Sequence, residues 1–319
     1  MRNRLPIAIV ALLSLIVIAC STAGASPSAS PAASAAAPSV AASPSTAEVS
    51  ASPTPDACAV ANLKLTTPGT LTIGTDNPAY PPFYDLSDPA VKPWEIGDPT
   101  NGRGFESAFA YALAAKLGFA KDKVAWTYVP FNNSYAPGPK PFDIDVNQVS
   151  YNPERAKSAD LSDGYYFVNQ AVVAVKGTPA AAAKTIADLK GVKFGAQVGT
   201  TSYDTITKTV APTTETALYD TNDAAITALG NGQIDALVVD LPTAFQIVGA
   251  EQVKNGVIVG QFANAAGADP EHFSVVLDKD SALTACVNAG IAALKADGSL
   301  DAITKEWLSD KASAPLLAP

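Results

Sequence analysis

Apolar residues along this chain change their spacing in ways that mark out successive segments. A run from Leu5 to Ala19 is almost wholly apolar, begins behind Arg2 and Arg4, and stops at Cys20. It falls short of the ~20 residues that cross a bilayer as a helix. A positive start, a short apolar core and a small residue before the cut predict a secretory signal over 1–19. From Ser21 to Ala57 the periodicity vanishes: Ala, Ser, Pro and Thr dominate, and Glu48 and Asp56 are the only charges. Such a segment has too little apolar surface to offset its ordering entropy, so 20–57 is expected to be a disordered tether. As a flexible coil its end-to-end reach is roughly 35 Å.

Beyond Cys58, short β-rich runs alternate with helical spacing. Strands are predicted at 71–75, 124–129, 171–175, 192–197, 235–240, 257–262 and 273–277. Phe105, Phe109, Leu113 and Leu117 recur every fourth residue and share one helix face, with Gly118 as the stop. Leu283, Val287, Ile291 and Leu294 repeat the pattern ahead of Gly298. This alternation predicts an α/β fold of parallel sheets with helices on both sides. One loop is out of scale: 83–104, rich in Pro, Gly and Asp and carrying Trp94 and Arg103. A loop that long is either functional or mobile.

Charge and cysteine count narrow the function. Loss of Arg2 and Arg4 with the signal reduces the 21 basic residues to 19, against 30 acidic ones. A net charge of about −11, with no basic patch, argues against nucleic acid as a partner. Cys20 ends Val17-Ile18-Ala19-Cys20, which resembles the bacterial lipobox, where the cysteine is diacylated and becomes the new N-terminus. Cys58 and Cys286 remain, and an exported pair suggests a disulfide, with two buried free thiols as the alternative. The lone His272 stands in a loop near Asp269 and Glu271 without metal-ligand spacing, so an exposed histidine is expected, with no metal and no cofactor.

Several ordered motifs fill the region from Leu71 to Leu308. They are Ile73-Gly74-Thr75-Asp76 with Tyr80-Pro81-Pro82-Phe83; Gly104-Phe105-Glu106 opening a helix; Pro153-Glu154-Arg155-Ala156; Gly199-Thr200-Thr201; and Asp235-Ala236-Leu237-Val238-Val239-Asp240. In order and spacing the chain resembles the polar-amino-acid solute-binding proteins of bacterial ABC importers. The resemblance implies a two-lobed, type II periplasmic-binding-protein-like fold, each lobe a sheet flanked by helices. Lobe one would comprise 58–167 and 263–312, lobe two 168–262, with hinges near 167–170 and 260–263 and a tail at 313–319.

The residue chemistry is compatible with that role. A free amino acid brings a carboxylate and an ammonium, and a dry cleft must supply donors for one and acceptors for the other. Arg155 offers a planar fork for a carboxylate, or it pairs on the surface with Glu154 or Asp160. Gly199, Thr200 and Thr201 stand where a helix begins and present free N–H groups, or they simply cap that helix. Asp240 ends a strand at the edge where α/β ligands bind, or caps the next helix. The resemblance implies that the Gly199 turn faces Arg155 across the ligand carboxylate and that Asp240 takes the ammonium with help from Ser150. It implies too that Tyr80 and Phe131 sandwich the ligand's side chain. Asn147 and Gln148 depart from the small residues usual there and bring amides to the same pocket. Asp76 makes the site net negative and favours a polar neutral or cationic side chain, unless it only caps its own turn.

The expected protein is therefore a monomeric binding protein, not an enzyme, held at the outer face of the cytoplasmic membrane by lipid alone and delivering an amino acid to permease subunits. A ligand sensor would use the same pocket. A dehydratase on this fold would need a general acid or base, and no catalytic set is visible.

Overall fold

A computed structural model describes residues 57–86, 89, 91–264, 269–308 and 314–319. The signal, the tether and Cys20 lie outside the described residues.

Among the described residues twelve strands form two five-stranded sheets and a ribbon. The first sheet takes β1 (Leu71–Thr75), β2 (Val124–Tyr128), β3 (Ile144–Asp145) and β4 (Asp160–Leu161) from the first half of the chain. β5 (Tyr166–Phe167) leaves it, and the second sheet follows with β6 (Gln170–Val175), β7 (Phe194–Gln197), β8 (Ala217–Tyr219), β9 (Ala236–Asp240) and β10 (Gly256–Gln261). β11 (His272–Phe273) pairs antiparallel with β5, and β12 (Val276–Leu277) inserts into the first sheet, giving the orders β2-β1-β3-β12-β4 and β10-β6-β9-β7-β8.

The sheets are mixed, not parallel as the strand–helix alternation predicts. β1, β2 and β3 run parallel, as do β7, β8 and β9. β12 runs against β3 and β4, and β6 runs against both β9 and β10. The antiparallel strands β12, β6 and β10 lie next to the crossings between sheets. Pattern also missed β3, β4, β5 and β8, each two or three residues long, because so short a segment has no readable alternation. The predicted 273–277 strand is two strands, β11 and β12.

Each sheet buries its own core. The helix Phe105–Lys116 sinks Phe105, Phe109 and Leu113 completely against the first sheet, beside Val287, Ile291 and Leu294 of the helix Leu283–Ala296. Val172, Ala174, Phe194, Ile206, Ala236 and Val238 form one core of the second sheet, and Ala171, Val173, Leu237, Val239 and Ile247 another on its opposite face. The closing segment 314–319 is no loose tail. Gln261 N–H donates to Pro315 O at 2.9 Å, Leu317 N–H to Gln261 O at 2.9 Å, and Leu317 is buried in the second core.

The 83–104 loop has a definite job. Trp94 is only 2 % exposed, and its indole N–H donates to Asp76 O at 3.0 Å. Ala79 N–H donates to Ile96 O at 3.1 Å, while the Asn77 side chain accepts from Glu95 N–H at 3.1 Å and donates to Pro93 O at 3.2 Å. The loop thus acts as a splint for residues 76–79. Gly97 lets it come that close: its φ is +79°, and a Cβ there would lie 1.8 Å from Ala79 O. Truncation of a buried Trp typically costs about 3–5 kcal/mol, which gives the scale of this splint.

Cys58 and Cys286 are joined in a disulfide with Cα atoms 5.6 Å apart, tying the start of the domain to the helix Leu283–Ala296. The bridge spans 228 residues of sequence, for which chain-entropy arguments give about 5 kcal/mol, an upper bound because strain and residual unfolded structure subtract from it. Replacing both cysteines with serine should remove about 2–5 kcal/mol. At roughly 2–4 °C per kcal/mol the melting temperature should fall by several degrees in a thermal scan; an unchanged melting temperature would show that the bridge stabilises nothing.

Candidate functional site

Between the sheets lies a cavity of about 120 Å³. One water needs ~10–15 Å³ on this measure, so the cavity has room for a molecule of about ten heavy atoms. All ten residues singled out as candidate ligand contacts line it: Asp76, Tyr80, Phe131, Asn147, Gln148, Ser150, Arg155, Thr200, Thr201 and Asp240. They come from the C-terminal ends of β1, β2, β3, β7 and β9 and the segments beyond, the edge at which α/β sheets hold ligands.

The cleft is closed, and hydrogen bonds cross it. Arg155 Nη2 donates to Gly199 O at 2.7 Å, Tyr135 Oη to Gly199 O at 3.3 Å, and Tyr80 Oη to Asp223 Oδ2 at 2.8 Å. Gly199 has φ +78°, which favours glycine, and a Cβ there would lie 2.4 Å from Asn132 Oδ1 and 2.9 Å from the Tyr135 hydroxyl, so those side chains would have to shift. Arg155 Nη1 also donates to Ser150 O at 2.6 Å. The guanidinium sits 5.4 Å from the Phe131 ring centroid and 4.5 Å from that of Tyr135. It is therefore buried and engaged, not a surface partner of Glu154 or Asp160; Glu154 pairs with Lys157 instead. Two of its five N–H groups are used in these bonds, leaving three.

Asp76 does both things the sequence allows. Its Oδ1 accepts from Asn77 N–H at 2.7 Å and its Oδ2 from Phe131 N–H at 3.1 Å, and it also lines the cavity. Burial raises its pKa more than these two bonds lower it, and the Asp223 carboxylate adds to the rise. Thr200 caps the turn Thr201–Thr205, accepting from Tyr203 N–H at 3.3 Å and donating to Gln197 O at 2.8 Å.

Gln148 differs from expectation. Its backbone N–H donates to Glu106 Oε1 at 2.8 Å and its side-chain amide to Glu106 Oε2, so its donors turn away from a ligand. The cause is Glu106, a wholly buried carboxylate that draws donors from Gln148 and Tyr165. Asn147 is the opposite case: it is 5 % exposed, and its Nδ2 has no partner among the described residues. His272 also differs, being partly buried and stacked on Tyr151 at 5.6 Å.

Sequence reasoning missed Asp223 and Glu271. Asp223 reads as an ordinary first-turn acid of the helix Asn222–Gly230, and no local signal marks it. Glu271 turns inward: its Oε1 accepts from Ser150 Oγ at 2.8 Å and from Gln170 Nε2 at 3.1 Å. The same Gln170 Nε2 donates to Asp240 Oδ1 at 2.6 Å, and one amide thereby holds two carboxylates together. Burial, then the neighbouring Glu271 charge, pushes the Asp240 pKa well up. Among the described residues no His, Cys, Asp or Glu group could hold a metal ion.

Two lobes closed over a polar cavity define a binding protein of the cleft-closing type. The chain belongs to the bacterial extracellular solute-binding proteins, family 3, whose profile matches residues 86–310. It is 31% identical over 235 residues to ABC transporter arginine-binding protein 1 of Escherichia coli (strain K12), covering 72% of this chain and 86% of that protein. The L-cystine-binding protein TcyJ of the same strain is 29% identical over 240 residues, covering 75% of this chain and 82% of that one. An ancestral arginine-binding protein solved with glutamine is 28% identical, with a TM-score of 0.62, covering 76% of this chain and 100% of that one. The same description, bound to arginine, gives 28% identity and a TM-score of 0.61, covering 76% and 99%.

Glu106 supplies a test of the buried network. Burial lifts its pKa to about 7 from an ordinary 4.5. Between those values the folded state keeps a proton that the unfolded chain has lost, so its contribution to stability grows as pH falls from 7 toward 4.5 and is lost as pH climbs through 7. Glu106→Gln cannot titrate. Its urea midpoint relative to wild type should therefore improve from pH 5 to pH 8; a constant difference across that range would contradict the shift.

Proposed function

We propose that this protein captures an amino acid with a polar or cationic side chain and delivers it to the permease of an ABC importer. The observation that carries the reading is the acidity of the closed cavity: Asp76 and Asp223 line it against one cation, Arg155, and Asp240, whose pKa is raised by burial and by Glu271, is a further acid that an arriving ammonium would ionise. At ~5 Å and an effective dielectric of about 20, one pair of like charges costs about 3 kcal/mol. A ligand with a second carboxylate is disfavoured on that scale, and a cation is favoured by as much.

The ligand carboxylate would lie against the remaining N–H groups of Arg155 and the turn at Thr200 and Thr201. Its ammonium would lie at Asp240 and Ser150, with Glu271 behind. Tyr80 and Phe131 would flank the side chain, and the unpartnered Asn147 amide would complete the polar lining. Relatives named for arginine, cystine, histidine and glutamine binding support an amino acid as the ligand class. The protein would work as a monomer outside the cytoplasmic membrane, anchored by lipid on Cys20. A diacylglyceryl adduct on the native N-terminal peptide, read by mass spectrometry, is expected; a soluble product cut elsewhere would exclude the anchor.

Calorimetric titration with arginine, lysine, histidine, glutamine and glutamate tests the ligand class, and tight, selective binding of glutamate would overturn it. Arg155→Ala and Asp240→Ala should each weaken binding by about 2–5 kcal/mol, the usual cost of removing one partner of a desolvated charge pair. Arg155→Lys should also lose affinity, because an ammonium cannot reproduce the fork. Unaltered affinity in either alanine variant would put the site elsewhere.

A further inference from the structure

Asp223 is the one carboxylate that the second lobe contributes to the cavity apart from Asp240. It stands in the first turn of the helix Asn222–Gly230, partly buried, and reaches across the cleft to Tyr80. Only its Oδ2 is engaged, at 2.8 Å from the Tyr80 hydroxyl; no described residue donates to Oδ1. On the facing lobe both oxygens of Asp76 accept one backbone N–H each, and a carboxylate oxygen accepts two bonds. The two carboxylates are close enough for Asp223 to raise the Asp76 pKa, and both line the cavity with Tyr80 between them. Asn147 provides an independent sign that a polar ligand group belongs there: it is 95 % buried, lines the same cavity and has no partner for its Nδ2 among the described residues.

We infer that Asp223 is a specificity-determining residue: with Asp76 it forms a two-carboxylate receptor, one from each lobe, for a guanidinium or ammonium at the end of the ligand's side chain. The assignment rests on the amino-acid reading above. A guanidinium presents N–H groups along more than one edge and so can meet two carboxylates on different sides. A neutral amide can bridge two carboxylates, as Gln170 does, but it brings no charge to offset theirs. Because Asp223 arrives only with the second lobe, the cationic end is bound fully only in the closed state. The side chain then contributes to closure as well as to affinity.

A purely structural role predicts something different. An acid in a helix's first turn stabilises the helix, and the bond to Tyr80 stabilises closure, whatever ligand is inside. Either would affect all ligands alike.

The experiment is calorimetric titration of wild type and Asp223→Asn with L-arginine and with L-glutamine. The substitution keeps shape and helix-start preference and removes only the charge. Wild type should bind arginine more tightly than glutamine. Asp223→Asn should weaken arginine about tenfold or more while glutamine changes less than about threefold, so that the preference collapses. Equal weakening of both ligands, or no weakening of either, overturns the assignment. A wild type without preference for arginine overturns it too, yet leaves the amino-acid reading standing. A wild type that binds neither arginine nor glutamine overturns the assignment before any variant is made, and the amino-acid reading falls with it only when lysine, histidine and glutamate fail to bind as well. The glutamine titration also shows whether the variant is folded.

Discussion

The closed form turns on one guanidinium. Arg155 is held between a carbonyl of its own lobe, Ser150 O, and a carbonyl of the other, Gly199 O, with aromatic rings beside it. Burying an ion costs several kcal/mol unless its donors are satisfied. Charge-assisted hydrogen bonds return about 1.5–3 kcal/mol each, and ring contacts add about 0.5–2. Half of that compensation exists only while Gly199 is in place, so the position of the second lobe and the comfort of the buried arginine are the same fact. At Gly199 a methyl group would push the Asn132 and Tyr135 side chains aside, and the φ of +78° favours glycine.

The first lobe buries two carboxyl groups completely. Glu106 is wholly buried, and so is Asp145, whose two oxygens have no partner among the described residues. Burial, with Glu106 and Asp76 nearby, pushes the Asp145 pKa well above the usual carboxylate range. A carboxyl in such surroundings is most cheaply kept protonated and neutral. Asp143, two residues earlier on the same segment, behaves oppositely, accepting Thr66 N–H at 2.6 Å and Thr72 N–H at 2.7 Å. The contrast separates an acid that organises backbone from one that burial leaves without a partner among the described residues.

Much of the architecture could be read from the chain, and the failures have physical causes. The helix faces at Phe105–Lys116 and Leu283–Ala296 were legible because each repeats an apolar residue through several turns. All ten candidate contacts gather in one cavity because they sit at strand ends and turns, positions that strand-to-helix boundaries expose in sequence. Strand direction was not legible: it depends on where the chain crosses between sheets, which spacing does not encode. Asp223 and Glu271 were not legible either, since each looks like a surface acid until a partner more than a hundred residues away is folded against it. The 83–104 loop hid its role similarly, as Trp94 reaches its partner through a backbone carbonyl and leaves no side-chain pattern to read.

The segment 314–319 adds a third covalent passage between lobes to those at 167–170 and after Gln261. The helix Ser299–Trp307 belongs to the first core through Leu300, whereas Leu317 and Ala318 are fixed on the second lobe at Gln261 and Lys184. Each short link raises the effective concentration of one lobe at the surface of the other. Loop closure grows costlier only slowly with length, so it is the number of links that confines the open state. An opened molecule would consequently sample a narrow set of separations, and a captured ligand would spend little of its binding energy gathering the lobes.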